Sequence, residues 1–95
     1  MTDMKKIEEL VQQELKEANE IYPAFASDHE AYAVIKEELE ECWEELEACG
    51  RQLGGIWEQT KNDLNSHALY TYLKEHAKRL AAEAIQLAAM ADKAM

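Results

Sequence analysis

Acidic side chains crowded into one stretch are the groups of this sequence best placed to do chemistry. Residues 28–47 include nine acidic residues and one basic residue, Lys36. Most of these glutamates are expected to lie on a solvated helix face. Glu38 differs, because at about 100° per residue it shares a helix face with Ile35 and Cys42. The sequence therefore predicts a carboxylate against an apolar surface.

The acidic row continues beyond Glu38 along the edge of the same apolar stripe. Glu41 follows three residues later, and Glu45 follows four residues after that. Carboxylates lined up on one rigid helix repel each other unless a positive charge neutralises them. We therefore expect a cation or a basic side chain beside this row.

A second unusual carboxylate, Glu83, lies in the last third of the chain. It falls between Leu80 and Leu87, in the middle of another apolar stripe. An ionised carboxylate in such a place is costly unless it is paired or binds a metal. Two interpretations stay open: Glu83 forms an ion pair, with Arg79 or with a lysine of another copy of the chain, or it is a metal ligand.

Two helices that both present inward acidic groups could face each other and hold a hard divalent cation between them. Mg²⁺ prefers oxygen ligands and keeps several of its waters, which leaves room for a phosphate group. Gln86 lies beside Glu83, three residues further along the same predicted helix. The residue types are therefore compatible with a magnesium site that also receives a phosphate.

The elements that must position these groups are predicted to be helices. The chain has 95 residues, which allows a single domain, and its three glycines and one proline are too few for the turns of an all-β fold. We predict an all-α bundle of three main helices over about residues 2–19, 28–61 and 66–93. Ser27, with Glu30 three residues later, forms a capping box that marks the start of the second helix.

The second helix is predicted to be long, because one apolar stripe continues through Gly50 and Gly54. A kink or a brief break is allowed at residues 50–55, since each interior glycine costs about 1 kcal/mol relative to alanine. Trp43 and Trp57 lie near the margin of the stripe, where packing in the core or between subunits is favoured over stacking on a base. The stripe is formed by Ile35, Leu39, Cys42, Leu46, Cys49, Leu53, Ile56 and Thr60.

Composition restricts the partners and the compartment. The net charge of −10 argues against binding to nucleic acid or to an anionic membrane surface. Cys42 and Cys49 resemble neither a disulfide framework nor a zinc pair, which indicates a reducing setting. No apolar run approaches the length of a membrane span. We expect a soluble cytoplasmic protein that completes its small core with a partner subunit.

The run from Phe25 to Glu41 resembles the first metal-binding helix of the MazG-like all-α nucleoside triphosphate pyrophosphohydrolases, in particular their short phage and prophage forms. It contains a His-Glu-Ala-Tyr-Ala-Val-Ile lead, followed by a match to the family's Glu-Glu-x-x-Glu motif at Glu37, Glu38 and Glu41. The family's second motif, Glu-x-x-Asp, is resembled by residues 83–86. The resemblance covers residues 25–46 and 80–91, about a third of the chain.

This resemblance implies Mg²⁺-dependent (alternatively Mn²⁺-dependent) cleavage of a nucleoside triphosphate to a monophosphate and pyrophosphate. Glu38 and Glu41 would act in catalysis and in metal binding. A homodimer or homotetramer is the assembly that such proteins usually form. The metal ligands carried over are Glu38, Glu41, Glu83 and Gln86, and the candidate nucleotide contacts are His29, Glu37, Lys78 and Arg79.

Two features depart from the family pattern. Gln86 is a neutral amide where active members have an aspartate, and the two motifs are about 40 residues apart, which is longer than the usual gap. The extra length lies in residues 50–65, which lengthens the helical hairpin. The alternative function is a non-catalytic helical oligomer, a phage-type binding or assembly module with a degenerate metal site.

Overall fold

The protein is built from three α-helices joined by short connections. The computed structural model describes residues 2–95, and the helices are α1 (Met4–Ile21), α2 (Asp28–Lys61) and α3 (His67–Ala94). No strand occurs in this described range. The prediction of an all-α protein with three main helices and a long second helix is confirmed.

Helix α1 is held at both ends by local hydrogen bonds. The Asp3 side chain accepts a 2.9 Å bond from the backbone N–H of Lys5 at the start of the helix. At the other end, the N–H of Tyr22 donates to the carbonyl oxygen of Ala18 over 3.0 Å. The helix therefore ends at Ile21, slightly later than expected, because Pro23 disfavours helix only at Tyr22, the residue before it.

Helix α2 begins at the predicted cap and continues without interruption through its glycines. The hydroxyl of Ser27 accepts a 3.1 Å bond from the N–H of Glu30. None of the glycines in the described chain has a positive φ, so the helix needs no break at residues 50–55. Gly55 lies close to α3: a Cβ atom there would be 3.1 Å from a terminal methyl carbon of Leu69.

The turn from α2 to α3 is tight and reverses the chain direction. Asp63 adopts the left-handed conformation, with φ of 53°. The Asn65 side chain then accepts a 2.7 Å bond from the N–H of His67. Ser66 is the N-cap of α3 but its side chain makes no capping bond. The result is a long α2–α3 hairpin.

Helix α3 is the element that joins the other two. It packs along α2 and also against α1, whereas the α1 and α2 backbones make no close approach to each other within the described chain. The molecule is elongated, with principal extents of 55 × 28 × 18 Å. None of the three helices combines the length and the hydropathy that a membrane crossing requires, within residues 2–95.

The core is thin and consists mostly of small side chains. Small residues allow helices to approach closely, and Ala89 of α3 is completely buried. No polar or charged residue in the described range is fully buried. The buried apolar side chains are Val11, Ala31, Cys42, Ala48, Ile56 and Ala89.

The long apolar stripe of α2 does not form one buried face in the single chain. Its members at a spacing of seven from Ile35 (Ile35, Cys42, Cys49, Ile56) are buried or half-buried, whereas the intervening leucines are exposed. Steps of three and four describe a band wide enough to cover two adjacent faces, and α3 covers only one of them. Trp43 and Trp57 are also exposed, so they do not pack in the core of the single chain.

Candidate metal centre

Three glutamates from two helices converge between α2 and α3. Glu38 and Glu41 belong to α2, and Glu83 belongs to α3. One carboxylate oxygen from each lies within 4.8 Å of the other two. We call these residues the carboxylate trio. All three side chains are half-buried, so their charges are only partly screened by water.

The trio follows from the helical phase of α2 and of α3, the two helices of the hairpin. Glu38 and Glu41 are three residues apart and therefore neighbours on one face of α2. Cys42, buried in the same turn, places this face against α3. Glu83 interrupts the apolar positions of α3 one turn after Leu80, on the face that packs against α2. The expectation that Glu38 and Glu83 approach each other agrees with this geometry.

Two oxygens of the trio lack the partners that buried carboxylates normally have. The Oε2 atoms of Glu38 and of Glu83 are buried and accept no hydrogen bond within the described chain. No ion pair joins Glu83 to Arg79 there, so the ion-pair interpretation of Glu83 with Arg79 is wrong for this chain. Unpartnered buried oxygens are costly, and a bound cation is one way to satisfy them.

Crowding and burial change the acidity of Glu83. A hydrogen bond with the Glu41 carboxyl, desolvation by burial, and the charges of Glu41, Glu38 and Glu45 together raise the pKa of Glu83 to about 7. Such a hydrogen bond needs a proton on one of the two carboxyls. Near pH 7, protons and a divalent cation would therefore compete for the trio.

Burial and nearby negative charges also raise the pKa values of two groups close to Glu83. Burial, followed by the charges of Glu41, Glu37 and Glu14, raises the pKa of Glu38. Burial and the charges of the trio also raise the pKa of the Cys42 thiol. A thiol that resists ionisation is a poor metal ligand and a poor nucleophile. The site therefore offers oxygen ligands and no thiolate.

A fourth carboxylate near the trio has its own partner, which sequence reasoning did not identify. Glu45 of α2 contacts His76 of α3, with 2.8 Å between Oε2 and Nδ1, and both side chains are about three-quarters buried. The sequence places Glu45 only at the edge of the apolar stripe and gives it no partner. Helical phase places both residues on the facing sides of the two helices, but their contact also depends on the register between α2 and α3.

The remaining ligand candidate, Gln86, is half-buried and lies one turn beyond Glu83 on the same side of α3. The candidate nucleotide contacts are all exposed. His29 lies nine residues before Glu38, which is about 14 Å along the axis of α2. Glu37 is adjacent to Glu38 in sequence but turns to the outside of the helix.

The two basic candidates are on the solvent side of α3. The Lys78 Nζ atom lies 3.5 Å from Oε1 of Glu75, and the Lys78 side chain is largely exposed. Arg79 is exposed and forms none of the ion pairs found in the described range. Neither residue is drawn toward the trio in this structure, so contact with a bound phosphate would need a change in their side-chain conformations.

A cavity of about 500 Å³ lies to one side of the trio, near the N-terminal end of α2 and the C-terminal ends of α1 and α3. Val34, in its wall, is one turn before Glu38, and Met90 is two turns after Glu83. Lys93 closes one side: its Nζ donates to the carbonyl oxygen of Tyr22 and stands 4.8 Å above the Phe25 ring. The full lining is Ala18, Ile21, Tyr22, Phe25, Glu30, Val34, Met90 and Lys93.

Comparisons with protein-family models, with curated proteins and with solved structures gave no significant match for this chain. The resemblance to the MazG-like enzymes therefore depends on the motif residues alone.

Proposed function

We propose that this protein is a Mg²⁺-dependent nucleoside triphosphate pyrophosphohydrolase of the MazG-like type, which releases a nucleoside monophosphate and pyrophosphate. The observation that carries the proposal is the carboxylate trio, in which oxygens from two helices lie within 4.8 Å of each other. Three carboxylates so close together are unfavourable as a purely structural arrangement and favourable around a divalent cation.

The donor set suits Mg²⁺ or Mn²⁺. All the donors are carboxylate oxygens, which hard divalent cations prefer, and the Oε2 atoms of Glu38 and Glu83 are buried without another partner. When bound, such an ion neutralises phosphate charge and lowers the pKa of a coordinated water. Glu38, Glu41 and Glu83 would hold it, with the amide oxygen of Gln86 as a neutral fourth group.

The carboxylates have separable tasks in this proposal. Glu38 and Glu41 come from one rigid helix and fix the spacing of the site, whereas Glu83 closes it from the facing helix. A carboxylate of the trio that is not engaged by the cation can orient the attacking water and accept its proton. His76 keeps Glu45 engaged at 2.8 Å, which prevents this fourth carboxylate from turning into the trio.

The cavity beside the trio is the proposed place for the nucleoside. Its volume of about 500 Å³ is within the range of small-molecule sites, and its wall is mostly apolar with aromatic groups at Tyr22 and Phe25. An aromatic base can stack on such rings, while the triphosphate extends along the hairpin toward the trio. Lys93 supplies a positive charge at the cavity.

The decisive experiment measures pyrophosphate release across a panel of nucleoside triphosphates with Mg²⁺ or Mn²⁺. Added pyrophosphatase and colorimetric phosphate detection give the readout. We expect turnover that falls at least 100-fold in Glu38→Gln and in Glu83→Gln, since each removes one ligand charge. Glu47→Gln, which removes the same charge from an exposed position of α2, is the matched control and should keep full activity. Equal turnover in all variants would overturn the proposal.

Metal binding is tested separately by thermal unfolding. Since a ligand that binds only the folded state raises the melting temperature, millimolar Mg²⁺ or Mn²⁺ at pH 8 should stabilise the wild type relative to EDTA. Glu83→Gln should lose the shift, and Glu47→Gln should keep it. Stabilisation without turnover of any nucleotide would favour the non-catalytic alternative, a binding or assembly module that retains the cation site.

A further inference from the structure

Helix α2 carries a second apolar surface beside the face that packs on α3. It is formed by three leucines and two tryptophans whose side chains are 50–60% exposed. We call this surface the outer face. Its members are Leu39, Trp43, Leu46, Leu53 and Trp57. Single exposed apolar residues are common on proteins, but a contiguous row of five large ones indicates an interaction site.

The spacing of the outer face is that of a helix pairing seam. Its residues follow one another in alternating steps of four and three once Gly50 is included between Leu46 and Leu53. This is the heptad pattern by which two helices pack side by side. Ordinary surface exposure gives no such regularity over five turns. The outer face therefore fits another α-helix of similar length.

The outer face is separate from the carboxylate trio. Glu41 is two residues after Leu39 and therefore lies about 200° around the helix from it. One side of α2 is thus committed to α3 and the trio, while the other is left to solvent in the single chain. Occupation of the outer face leaves the proposed metal centre in place.

We propose that the outer face binds the same face of a second copy of this chain, with the two α2 helices antiparallel. Charge selects this orientation. Residues 37–47 contain seven glutamates and no basic residue, whereas residues 48–61 contain one glutamate, one arginine and one lysine. A parallel pair would place the two acidic halves together, whereas an antiparallel pair places each beside the weakly basic half of its neighbour.

The side-chain sizes fit an antiparallel pair centred near residue 48. Leu39 then lies opposite Trp57 of the partner subunit, and Trp43 lies opposite Leu53 of the partner subunit. At the centre, Leu46 meets the partner subunit's Gly50, where a Cβ atom would find no neighbour within 4 Å. Large residues therefore meet smaller ones in every layer, and the tryptophans are not forced against each other.

The surface is large enough for a specific dimer. Five side chains of these sizes and exposures offer roughly 600 Å² per chain, so two copies bury about 1,200 Å², the lower bound of stable protein interfaces. A shallow groove of about 450 Å³ already lies along Leu39, Glu40, Trp43 and Glu44. In the antiparallel pair, this groove receives Leu53 and Trp57 of the partner subunit.

The first test is the oligomeric state in solution. Sedimentation velocity and light scattering of the wild type at about 50 µM should give twice the chain mass. Leu46→Glu should give monomers, because it places a charge in the centre of the pair. Leu10→Glu is the matched control, since Leu10 is also a helical leucine with 50% exposure but lies on α1; this variant should stay dimeric. Circular dichroism checks that all three proteins keep their helix content.

The orientation is tested without a substitution. In a dimer mixed from isotope-labelled and unlabelled chains, filtered nuclear Overhauser spectra should connect Trp43 with Leu53 and Trp57 with Leu39 between chains. Contacts between the two Trp43 side chains would overturn the antiparallel arrangement. A monomeric wild type, or a dimer that survives Leu46→Glu, would overturn the proposal and leave the outer face to a different protein partner. Nucleotide turnover does not enter either result.

Discussion

Glu83 is the residue whose chemistry depends most on its surroundings. In the unfolded chain it is an ordinary carboxyl with a pKa near 4.5, whereas contact with Glu41 and burial raise its pKa in the fold to about 7. The folded state therefore binds more protons than the unfolded state between these two values. By linkage, the free energy of unfolding decreases as pH rises through this window.

The pH dependence predicts the behaviour of Glu83→Gln. The amide cannot ionise, so this variant should lose the decrease in stability between pH 5 and pH 8, and it should be more stable than the wild type at pH 8 by about 1–2 kcal/mol after allowance for solvent screening. Urea unfolding of both proteins in EDTA, at pH 5 and at pH 8, measures the free energies of unfolding that this prediction compares.

Glu47→Gln is the control, because it removes a charge from an exposed position on α2. A wild type whose stability rises between pH 5 and pH 8, or a Glu83→Gln variant with the same slope as the wild type, would contradict the explanation.

The carboxylate trio was predictable from the sequence because helical phase is a local property. The positions of Glu38 and Glu83 among apolar neighbours placed both inside the packing, and three-residue spacing added Glu41. The contact between Glu45 and His76 was not predictable in the same way. It depends on the register between α2 and α3, which the turn near Asp63 determines and which no periodicity within one helix contains.

At the scale of the elements, α2 shows what periodicity alone leaves open. The stripe from Ile35 to Thr60 correctly predicted a long helix, but α3 buries only part of the stripe. Leu39, Leu46 and Leu53 are exposed because a helix of this length has more apolar surface than one neighbouring helix covers. A sequence reports that a residue is apolar and at which phase, but not whether its partner lies in the same chain.

The glycines of α2 give a prediction for this helix. A Cβ atom at Gly54 would meet nothing within 4 Å, so Gly54→Ala should stabilise the fold by about 1 kcal/mol through helix propensity. At Gly55 the new methyl group would lie 3.1 Å from a methyl carbon of Leu69, so Gly55→Ala should gain less or should destabilise. Chemical denaturation measures the free energy of unfolding of both variants. Equal gains would show that the Leu69 side chain of α3 moves aside without cost.

The two serine caps give a second prediction at this scale. Ser27 accepts a hydrogen bond from the N–H of Glu30, so Ser27→Ala should cost about 1 kcal/mol of stability. Ser66 caps α3 without a side-chain bond, and its hydroxyl oxygen is buried without a partner. Ser66→Ala should therefore be neutral or slightly stabilising. Urea unfolding compares the two, and an equal loss would mean that the cap bond contributes nothing.

At the scale of the whole molecule, the α2–α3 hairpin supplies the entire carboxylate trio, and α1 is an addition to one side of it. Helix α1 packs mainly on α3 and contributes one buried side chain, Val11. Within residues 2–95, Gln12 of α1 donates a hydrogen bond to Asp92, and Lys93 donates one to the carbonyl of Tyr22, directly after the helix. The hairpin is therefore the more cohesive part of the fold.

Because α1 packs mainly on α3, we expect α1 to detach while the α2–α3 hairpin stays folded. Amide hydrogens of α1 should then exchange with solvent through a partial opening of lower free energy than global unfolding, whereas central amides of α2 and α3 exchange only when the whole chain unfolds. Native-state hydrogen exchange at low denaturant separates the two classes. Such an opening also removes Ala18 and Ile21 from the cavity wall, which gives a bulky molecule a route in without any movement of the trio.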